Sequence, residues 1–203
     1  MWCEKSLKSY LDKLASKSPT PGGGSTTALL GALSAALISM VANFTLGKLK
    51  YKKVEKSVGK ILEGAEKLRE RLSQLTEEDC LAYRKISDAY RLPKGEERNK
   101  VMQKALRQAV KVPLEVANLS FKLLKLNTEL VEKGNRNLIS DVGVSVIFAL
   151  SALESAAINV EINLAGIKDM GFVIKKRRTL KLLLKEGKKI EKDVRRKVEK
   201  LMK

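Results

Sequence analysis

An uncharged run begins with Ser18-Pro19-Thr20-Pro21-Gly22-Gly23-Gly24-Ser25-Thr26-Thr27-Ala28 and extends to residue 47. Because 32% of the residues in the chain are charged, so long a run without one indicates a helix that is buried on nearly every side. We expect this helix to span about 25–46 and to end at Gly47, since glycine is the usual residue just past a helix C-terminus.

Three consecutive glycines stand at the entrance of this helix. Glycine reaches left-handed and extended conformations that other residues avoid, and it leaves no side chain between the main-chain amides and a ligand. Ser25 and Thr26 are predicted to cap the helix, whose free amides and positive dipole end suit an anion or a polarised carbonyl. A flexible turn before a core helix explains the same residues, so binding and structural interpretations both stay open. A Walker phosphate loop is disfavoured because no Gly-Lys-Ser/Thr follows.

Helical periodicity continues through almost all of the chain. Apolar residues recur at helical spacing, and β-branched runs bounded by turn residues are scarce. We therefore predict an all-α fold, a single-domain helical bundle over residues 1–203 with long, partly kinked helices. Besides the uncharged helix, the predicted helices cover about 7–14, 53–90 with an interruption near Thr76, 96–132 with a kink at Pro113, 140–170, and a basic tail from Lys175.

The chain is strongly basic. Its formal net charge is +18, from 41 Lys and Arg against 23 Asp and Glu, and the excess is concentrated in residues 48–60 and 168–203. Such a surface attracts nucleic acid, anionic lipid or a polyanionic small molecule. A basic helical nucleic-acid-binding protein without catalytic activity is therefore one function class to weigh against an enzyme.

Composition also predicts the cellular setting. Cys3 and Cys80 fit a reducing compartment better than a disulfide framework, and no signal segment leads the chain, so a cytoplasmic location is expected. The uncharged run is rich in alanine and diluted by polar residues, which disfavours a membrane span. High Lys and Glu content without histidine is the composition reported for hyperthermophile proteins.

The absence of histidine restricts the possible chemistry, because it removes the usual neutral-pH proton shuttle and the commonest transition-metal ligand. Catalysis would have to use carboxylate, lysine, tyrosine or amide groups. Asp79 and Asp141 each lie near a predicted helix start, where a carboxylate commonly serves only as a cap. Lys48 and Tyr51 could supply a cation and a hydroxyl to one site. Cys80 lacks the histidine partner that activates most catalytic thiols, so a nucleophilic role for this residue is disfavoured.

Two asparagines occur in the second nearly uncharged helix. Asn159 and Asn163 are four residues apart, so they share one helix face, which Ser155 extends by a turn. An amide in a core requires a partner. The asparagines either bond a neighbouring helix or line a polar site, and spacing alone does not decide between these roles.

Taken together, the motifs resemble the cyclodeaminase domain of formiminotransferase-cyclodeaminase and its stand-alone relatives, which include methenyltetrahydrofolate cyclohydrolases. The matching segments occur in the family's order over nearly the whole chain. They are Ser18 to Ser25 with the helix that follows, Thr45-Leu46-Gly47-Lys48-Leu49-Lys50-Tyr51, Asp79-Cys80-Leu81-Ala82-Tyr83 with Ala89 to Lys94, Asn135-Arg136-Asn137-Leu138-Ile139-Ser140-Asp141-Val142-Gly143-Val144, and Asn159-Val160-Glu161-Ile162-Asn163-Leu164.

The resemblance implies an all-helical homodimer that acts on a tetrahydrofolate one-carbon derivative without a metal or nucleotide cofactor. A cyclohydrolase opens the 5,10-methenyl bridge with water to give 10-formyltetrahydrofolate, whereas a cyclodeaminase closes 5-formiminotetrahydrofolate with loss of ammonia. Because no formiminotransferase domain is present in this chain, the cyclohydrolase is favoured. The basic surface is expected to attract the glutamate chain of a polyglutamylated folate.

The resemblance also suggests which residues form the site. Asp79 and Asp141 are expected to flank the reacting carbon, with Lys48 as a further catalytic group, and burial would raise the pKa of a carboxyl toward neutrality. The expected substrate-binding residues are Pro21, Gly22, Gly23, Gly24, Ser25, Tyr51, Tyr83, Asn135, Asn137, Ser140, Asn159 and Asn163.

Overall fold

A computed structural model describes residues 2–203, without the side chain of Cys3, so the prediction about that thiol lies outside the described part. Over this range the chain is all-α and contains no strand, which confirms the predicted fold class. The α-helices are α1 (Leu7–Ala15), α2 (Gly23–Asn43), α3 (Glu55–Arg91), α4 (Glu96–Ala109), α5 (Lys111–Lys133), α6 (Ile139–Ala165) and α7 (Met170–Leu201).

The uncharged helix α2 lies at the centre of the bundle and packs against α3, α5 and α6. Small side chains allow this close packing: Ala28 and Ala35 are fully buried, and a Cβ on Gly31 would lie 3.1 Å from Leu72. Polar groups at the crossing of α2 and α6 are paired, since Ser34 Oγ donates to the Ser145 carbonyl at 2.9 Å. The predicted central helix is thus present, although it spans Gly23–Asn43 and is not buried on every side, since Leu33 is 47% exposed.

The helix α2 and the segment Arg136–Ala165 are each long and apolar enough to cross a membrane by length and composition. Of their most apolar stretches, however, 61% and 50% of the residues are buried inside the fold. Core helices of a helical bundle have the same property, so this feature by itself is weak support for a membrane span.

The entrance of α2 differs from the prediction. The helix begins at Gly23, and Gly22 precedes it in an extended conformation without a side-chain cap. Instead of capping, the hydroxyls of Thr26 and Thr27 donate back to the carbonyls of Gly22 and Gly23 at 2.9 and 2.7 Å. Among the described residues only Gly47 has a left-handed conformation, with φ +73°. The helix ends at Asn43, earlier than the predicted end at about residue 46, and Gly47 ends the turn that follows.

The predicted interruption of α3 near Thr76 is wrong, because α3 continues for 37 residues. The Thr76 hydroxyl donates to the Ser73 carbonyl within the helix at 2.7 Å rather than capping a new helix. Asp79 consequently lies inside α3 and not at a helix start. Its interpretation as an N-cap is therefore excluded.

The predicted kink at Pro113 is a break between α4 and α5 at Val110. Proline has no backbone N–H, so the carbonyl four residues earlier, that of Ala109, loses its helical partner. The cause was predicted correctly, but the helix is divided at Val110, three residues before the proline, and Val110 itself keeps a helical conformation. The freed carbonyl of Ala109 has a role in the site.

Candidate active site

A cavity of about 270 Å³ lies at the N-terminal end of α2. Its walls come from the glycine segment, the middle of α3, the end of α4 and the last turns of α6. The lining residues are Pro19, Thr20, Gly22, Gly23, Gly24, Asp79, Ala82, Tyr83, Ile86, Ala109, Asn159, Ile162 and Asn163. Four separate segments of the sequence thus meet in one concave site.

The carboxyl group of Asp79 lies directly against Gly24. A Cβ built on Gly24 would overlap this carboxyl group, so a glycine is required here for close approach and not for a left-handed conformation. The backbone amide of Ser25 donates to the carboxylate. Burial raises the pKa of Asp79 above its ordinary range, and this amide hydrogen bond opposes the rise only in part.

Tyr10 on α1 supports the same turn of α2 from behind. Its side chain is 4% exposed, and its hydroxyl lies 3.1 Å from Ser25 Oγ and 3.3 Å from Thr26 Oγ1. Ser25 in turn supplies the amide that holds Asp79. The position of the catalytic carboxylate candidate therefore depends on a residue in another helix, which sequence reasoning missed.

Asn159 and Asn163 present hydrogen-bond acceptors to the cavity. The amide nitrogen of Asn159 donates to Thr27 Oγ1 at 3.3 Å and to the Ser155 carbonyl at 3.0 Å, which leaves Oδ1 toward Gly23. The amide nitrogen of Asn163 donates to the Asn159 carbonyl at 3.1 Å and to the Ala109 carbonyl at 3.4 Å. Their acceptor oxygens are thus available to a ligand together with the Asp79 carboxylate.

A set of acceptors beside a carboxylate suits a cationic ligand or one with several N–H donors. The interaction of Asn163 with Ala109 follows from Pro113, because an intact helix would have used that carbonyl internally. The free carbonyl of Ala109 and its hydrogen bond with Asn163 can be found from the sequence only by examining the position four residues before Pro113. Tyr83, which is 45% exposed, lies one turn after Asp79 at the rim of the cavity.

A second polar cluster lies at the other end of α2. Tyr51 Oη accepts from the Arg136 amide at 3.1 Å and donates to Asn135 Oδ1 at 3.4 Å. Asn135 Nδ2 donates to the Phe44 carbonyl at 2.9 Å, and the Asn137 amide donates to Asn135 Oδ1 at 3.2 Å. We call these residues, together with the exposed Lys48, the tyrosine cluster.

The structure therefore divides the predicted site residues between the two ends of α2. The glycines, Asp79, Tyr83, Asn159 and Asn163 line the cavity, with Pro21 and Ser25 buried beside it. The other predicted residues lie at the opposite end of α2, and they are Lys48, Tyr51, Asn135, Asn137, Ser140 and Asp141. Asp141 is in the first turn of α6, where the helix dipole favours a carboxylate. Within one chain Asp79 and Asp141 do not flank the same carbon.

Three larger depressions lack comparable chemistry. One, of about 540 Å³, lies along a charged stretch of α3 from Glu63 to Gln74 alone. A second, of about 770 Å³, is an open groove between α6 and α7 around Ile158 and Ile162. A third, of about 670 Å³, lies along α1 and the residues before it, from Trp2 to Ser16. None of them brings a carboxylate together with asparagine acceptors, so size alone does not identify the functional site. No group of three Asp, Glu, Cys or His that could hold a metal ion occurs within residues 2–203.

Comparison with known proteins places the chain in a family. Residues 6–181 match the formiminotransferase-cyclodeaminase family, and the chain belongs to it. It is 40% identical over 188 residues to a methenyltetrahydrofolate cyclohydrolase from Methylorubrum extorquens, covering 90% of each chain. It is 33% identical over 190 residues to formimidoyltransferase-cyclodeaminase from Rattus norvegicus, covering 91% of this chain and 35% of that protein.

A solved structure supports the same assignment. The crystal structure of a formiminotetrahydrofolate cyclodeaminase from Thermotoga maritima superposes with a TM-score of 0.85 at 32% identity, covering 99% of this chain and 97% of that one. The predicted family and all-α fold are therefore confirmed. The chain spans about a third of the two-activity relatives and nearly the full length of the cyclohydrolase.

Proposed function

We propose that this chain is a folate one-carbon enzyme, a methenyltetrahydrofolate cyclohydrolase that converts 5,10-methenyltetrahydrofolate and water to 10-formyltetrahydrofolate. The proposal is carried by one observation: the carboxyl of Asp79 has a raised pKa and lies in a cavity walled by glycines and amide acceptors. A relative that is 40% identical over 90% of each chain bears this activity in its name, whereas the solved cyclodeaminase is 32% identical, and this difference favours hydrolysis over deamination.

The cavity suits the substrate because the methenyl bridge carries a positive charge shared between N5 and N10. A carboxylate stabilises that charge at short range in a partly desolvated site. The asparagine oxygens accept hydrogen bonds from the N–H groups of the pterin ring. The exposed ring of Tyr83 at the rim offers an aromatic face to the rest of the ligand.

The hydrolysis requires one group that takes and returns protons. The oxygen of water attacks the methenyl carbon while Asp79 accepts a proton, giving a tetrahedral carbon bonded to N5, N10 and a hydroxyl. The C–N5 bond then breaks, N5 takes up a proton from Asp79, and the hydroxyl loses its proton to form the formyl group. The reaction releases one proton overall, and a carboxyl with a raised pKa can both accept and donate near neutral pH.

The cyclodeaminase activity is the alternative, because the solved relative from Thermotoga maritima is named for it. In that reaction N10 attacks the formimino carbon, the same type of tetrahedral carbon forms, and ammonia leaves with a proton. Asp79 would then protonate the departing nitrogen. The geometry of one chain serves both reactions, so substrate preference has to be measured.

The proposal includes three properties that accompany this activity. We expect a homodimer, a cytoplasmic location in a heat-adapted host, and a preference for folates that carry several glutamates. The lysines of residues 48–60 support the last point, because they would attract the added carboxylates by long-range steering. In one chain, however, they lie at the far end of α2 from the cavity.

Parallel assays with the two substrates test the proposal. Purified protein is incubated with 5,10-methenyltetrahydrofolate and, separately, with 5-formiminotetrahydrofolate, and the products and released ammonia are measured against buffer alone. We expect accelerated opening of the methenyl bridge and little ammonia release. Ammonia release with faster turnover would assign the cyclodeaminase reaction, and no acceleration of either reaction would overturn the proposal.

A further inference from the structure

The cavity that contains Asp79 is too small to enclose a whole folate. Its volume of about 270 Å³ falls below the range of roughly 300–1,000 Å³ that is usual for pockets enclosing a drug-sized ligand. A folate consists of a pterin, a p-aminobenzoyl ring and a glutamate, so a cavity of this volume suits the pterin alone. The ring and the glutamate then need a surface outside the cavity.

The open groove between α6 and α7 adjoins the cavity. Ile162 lines both depressions, so the cavity and the groove of about 770 Å³ meet at this side chain. Two ion pairs join the helices, and their positions fall along α6 as they rise along α7, so the helices run antiparallel. On α6 the groove leads from Ile162 toward Ile158, one helical turn or about 6 Å away. On α7 it leads from Arg177 toward Lys181.

The α6 side of the groove is apolar and exposed. Ile158 and Ile162 are 72% and 71% exposed, whereas Ala157 and Leu180 beneath them are 8% and 3% exposed. Large aliphatic side chains in this state gain free energy when an aromatic ring covers them. The single turn between the two isoleucines is about the length of one para-substituted benzoyl group. This wall therefore suits the p-aminobenzoyl ring.

The α7 side of the groove is cationic. Arg177 and Lys181 line it, and Glu161 is the one acid among the residues that form the groove. Glu161 accepts a hydrogen bond from Arg177 Nε at 2.8 Å, which leaves the two terminal nitrogens of the guanidinium for a second carboxylate. Lys181 is exposed one turn further along the groove. The lining thus favours a ligand that has an apolar ring followed by carboxylates.

We propose that this groove is the subsite for the p-aminobenzoyl-glutamate part of the substrate, an inference that rests on the proposed folate activity. The ring covers Ile158 and Ile162. The carboxylates of the first glutamate bind Arg177 and Lys181. The lysines of residues 48–60 would act at long range on added glutamates only, whereas the groove holds a part that every folate carries.

Charge favours the substrate tail over a second copy of the chain as the occupant of the groove. The chain has a net charge of +18, so another copy would bring further cations toward Arg177 and Lys181. The substrate tail instead brings carboxylates. Its ring also enters the groove directly from the cavity at Ile162, without any gap between the two binding surfaces.

Binding of two ligands that are not turned over tests the charged half of the subsite. Calorimetry gives the Kd of tetrahydrofolate and of tetrahydropteroate, which is the same molecule without the glutamate. We expect Lys181→Gln to raise the Kd of tetrahydrofolate about three- to fivefold and to leave that of tetrahydropteroate unchanged. Glu161→Gln should lower the Kd of tetrahydrofolate about twofold, because it releases Arg177 from its ion pair.

The matched control for the charge is Lys189→Gln, an exposed lysine of α7 that does not line the groove. It should leave both Kd values unchanged. An equal weakening by Lys189→Gln and Lys181→Gln would indicate a general effect of net charge and overturn the proposal. So would an unchanged tetrahydrofolate Kd in Lys181→Gln.

Ile158→Ser tests the apolar half, and its exposed position makes the change compatible with folding. We expect the Kd of tetrahydrofolate and that of tetrahydropteroate to rise together by about fivefold or more. Unchanged affinity with an altered oligomeric state in light scattering would assign this face to contact between copies and contradict the proposal.

These measurements are separate from turnover because neither ligand carries a one-carbon bridge. Binding that depends on Lys181 and Ile158, without opening of methenyltetrahydrofolate, would overturn the proposed function and keep the groove as a folate subsite. Normal turnover with unchanged affinities in both variants would overturn the subsite alone.

Discussion

Replacement of Gly24 by alanine should separate activity from stability. The new Cβ would overlap the Asp79 carboxyl group, whereas the backbone of Gly24 is already helical and accepts any residue. The side chain of Asp79 must therefore move away and lose the hydrogen bond from the Ser25 amide. Alanine should recover up to about 1 kcal/mol of helix propensity, against about 1.5–3 kcal/mol for a lost hydrogen bond to a charged group.

The gain in helix propensity partly offsets the lost hydrogen bond, so we expect the free energy of unfolding of Gly24→Ala to fall by no more than about 2 kcal/mol. A positioned acid–base group contributes about 10²–10⁴-fold in rate, which corresponds to about 3–5 kcal/mol of barrier. The loss of kcat/KM should thus exceed the loss of stability. Urea unfolding and initial rates of methenyl opening measure the two quantities on the same preparations.

Other glycines provide matched controls. A Cβ on Gly59, inside α3, would meet no atom within 4 Å, so Gly59→Ala should gain about 0.5–1 kcal/mol and keep its activity. A Cβ on Gly23 would lie 3.7 Å from Asn159 Oδ1, an ordinary contact, so its effect should be intermediate. If Gly24→Ala retained a rate within about threefold of Gly59→Ala, the assignment of Asp79 as a positioned catalytic group would be refuted.

Three further predictions concern the carboxylate, its support and the charge. Because the folded-state pKa of Asp79 is raised, ionisation of this carboxyl lowers the stability of the wild type as pH rises above about 4. The unfolding free energy of Asp79→Asn relative to wild type should therefore increase as pH rises from about 4 toward the folded-state pKa. A difference that stays constant in urea titrations across this range would contradict the prediction. Tyr10→Phe removes the hydroxyl that contacts Ser25, so it should lower the free energy of unfolding by about 1 kcal/mol and lower kcat more than it raises KM. An unchanged kcat would show that Tyr10 is not a positioning residue. Raising the salt concentration should reduce kcat/KM more for a polyglutamylated substrate than for the monoglutamate, because salt screens long-range attraction. Changing both Lys50 and Lys53 to Gln should remove the difference between the two substrates. Equal salt dependence of kcat/KM for both substrates in the wild type would exclude steering of the glutamate chain.

The sequence predicted what depends on local pattern. The uncharged run identified α2 as a central helix of the bundle, and the four-residue spacing of Asn159 and Asn163 correctly placed them on one face. The prediction that Pro113 disturbs its helix was also correct. These features follow from periodicity and backbone chemistry within one segment, which a single sequence contains.

Tertiary contacts explain the misses. The capping pattern at Thr76 suggested a helix start, but packing of α3 along the bundle overrides it, and Asp79 became an interior residue of a long helix. The requirement for Gly24 comes from a carboxylate 55 positions later in the chain, which no local rule could reveal. The family motifs grouped residues from both ends of α2, because the order of motifs along the sequence does not indicate how far apart they lie in the fold.

The account depends most directly on the Asp79 carboxylate as the group that moves protons during opening of the methenyl bridge. The decisive measurement is the initial rate of 5,10-methenyltetrahydrofolate hydrolysis by wild type and Asp79→Asn at equal concentration, with circular dichroism showing equal helix content. We predict a wild-type rate well above that of buffer and a loss of about 10²–10⁴-fold in the variant. A variant that opens the bridge as fast as wild type would contradict the account.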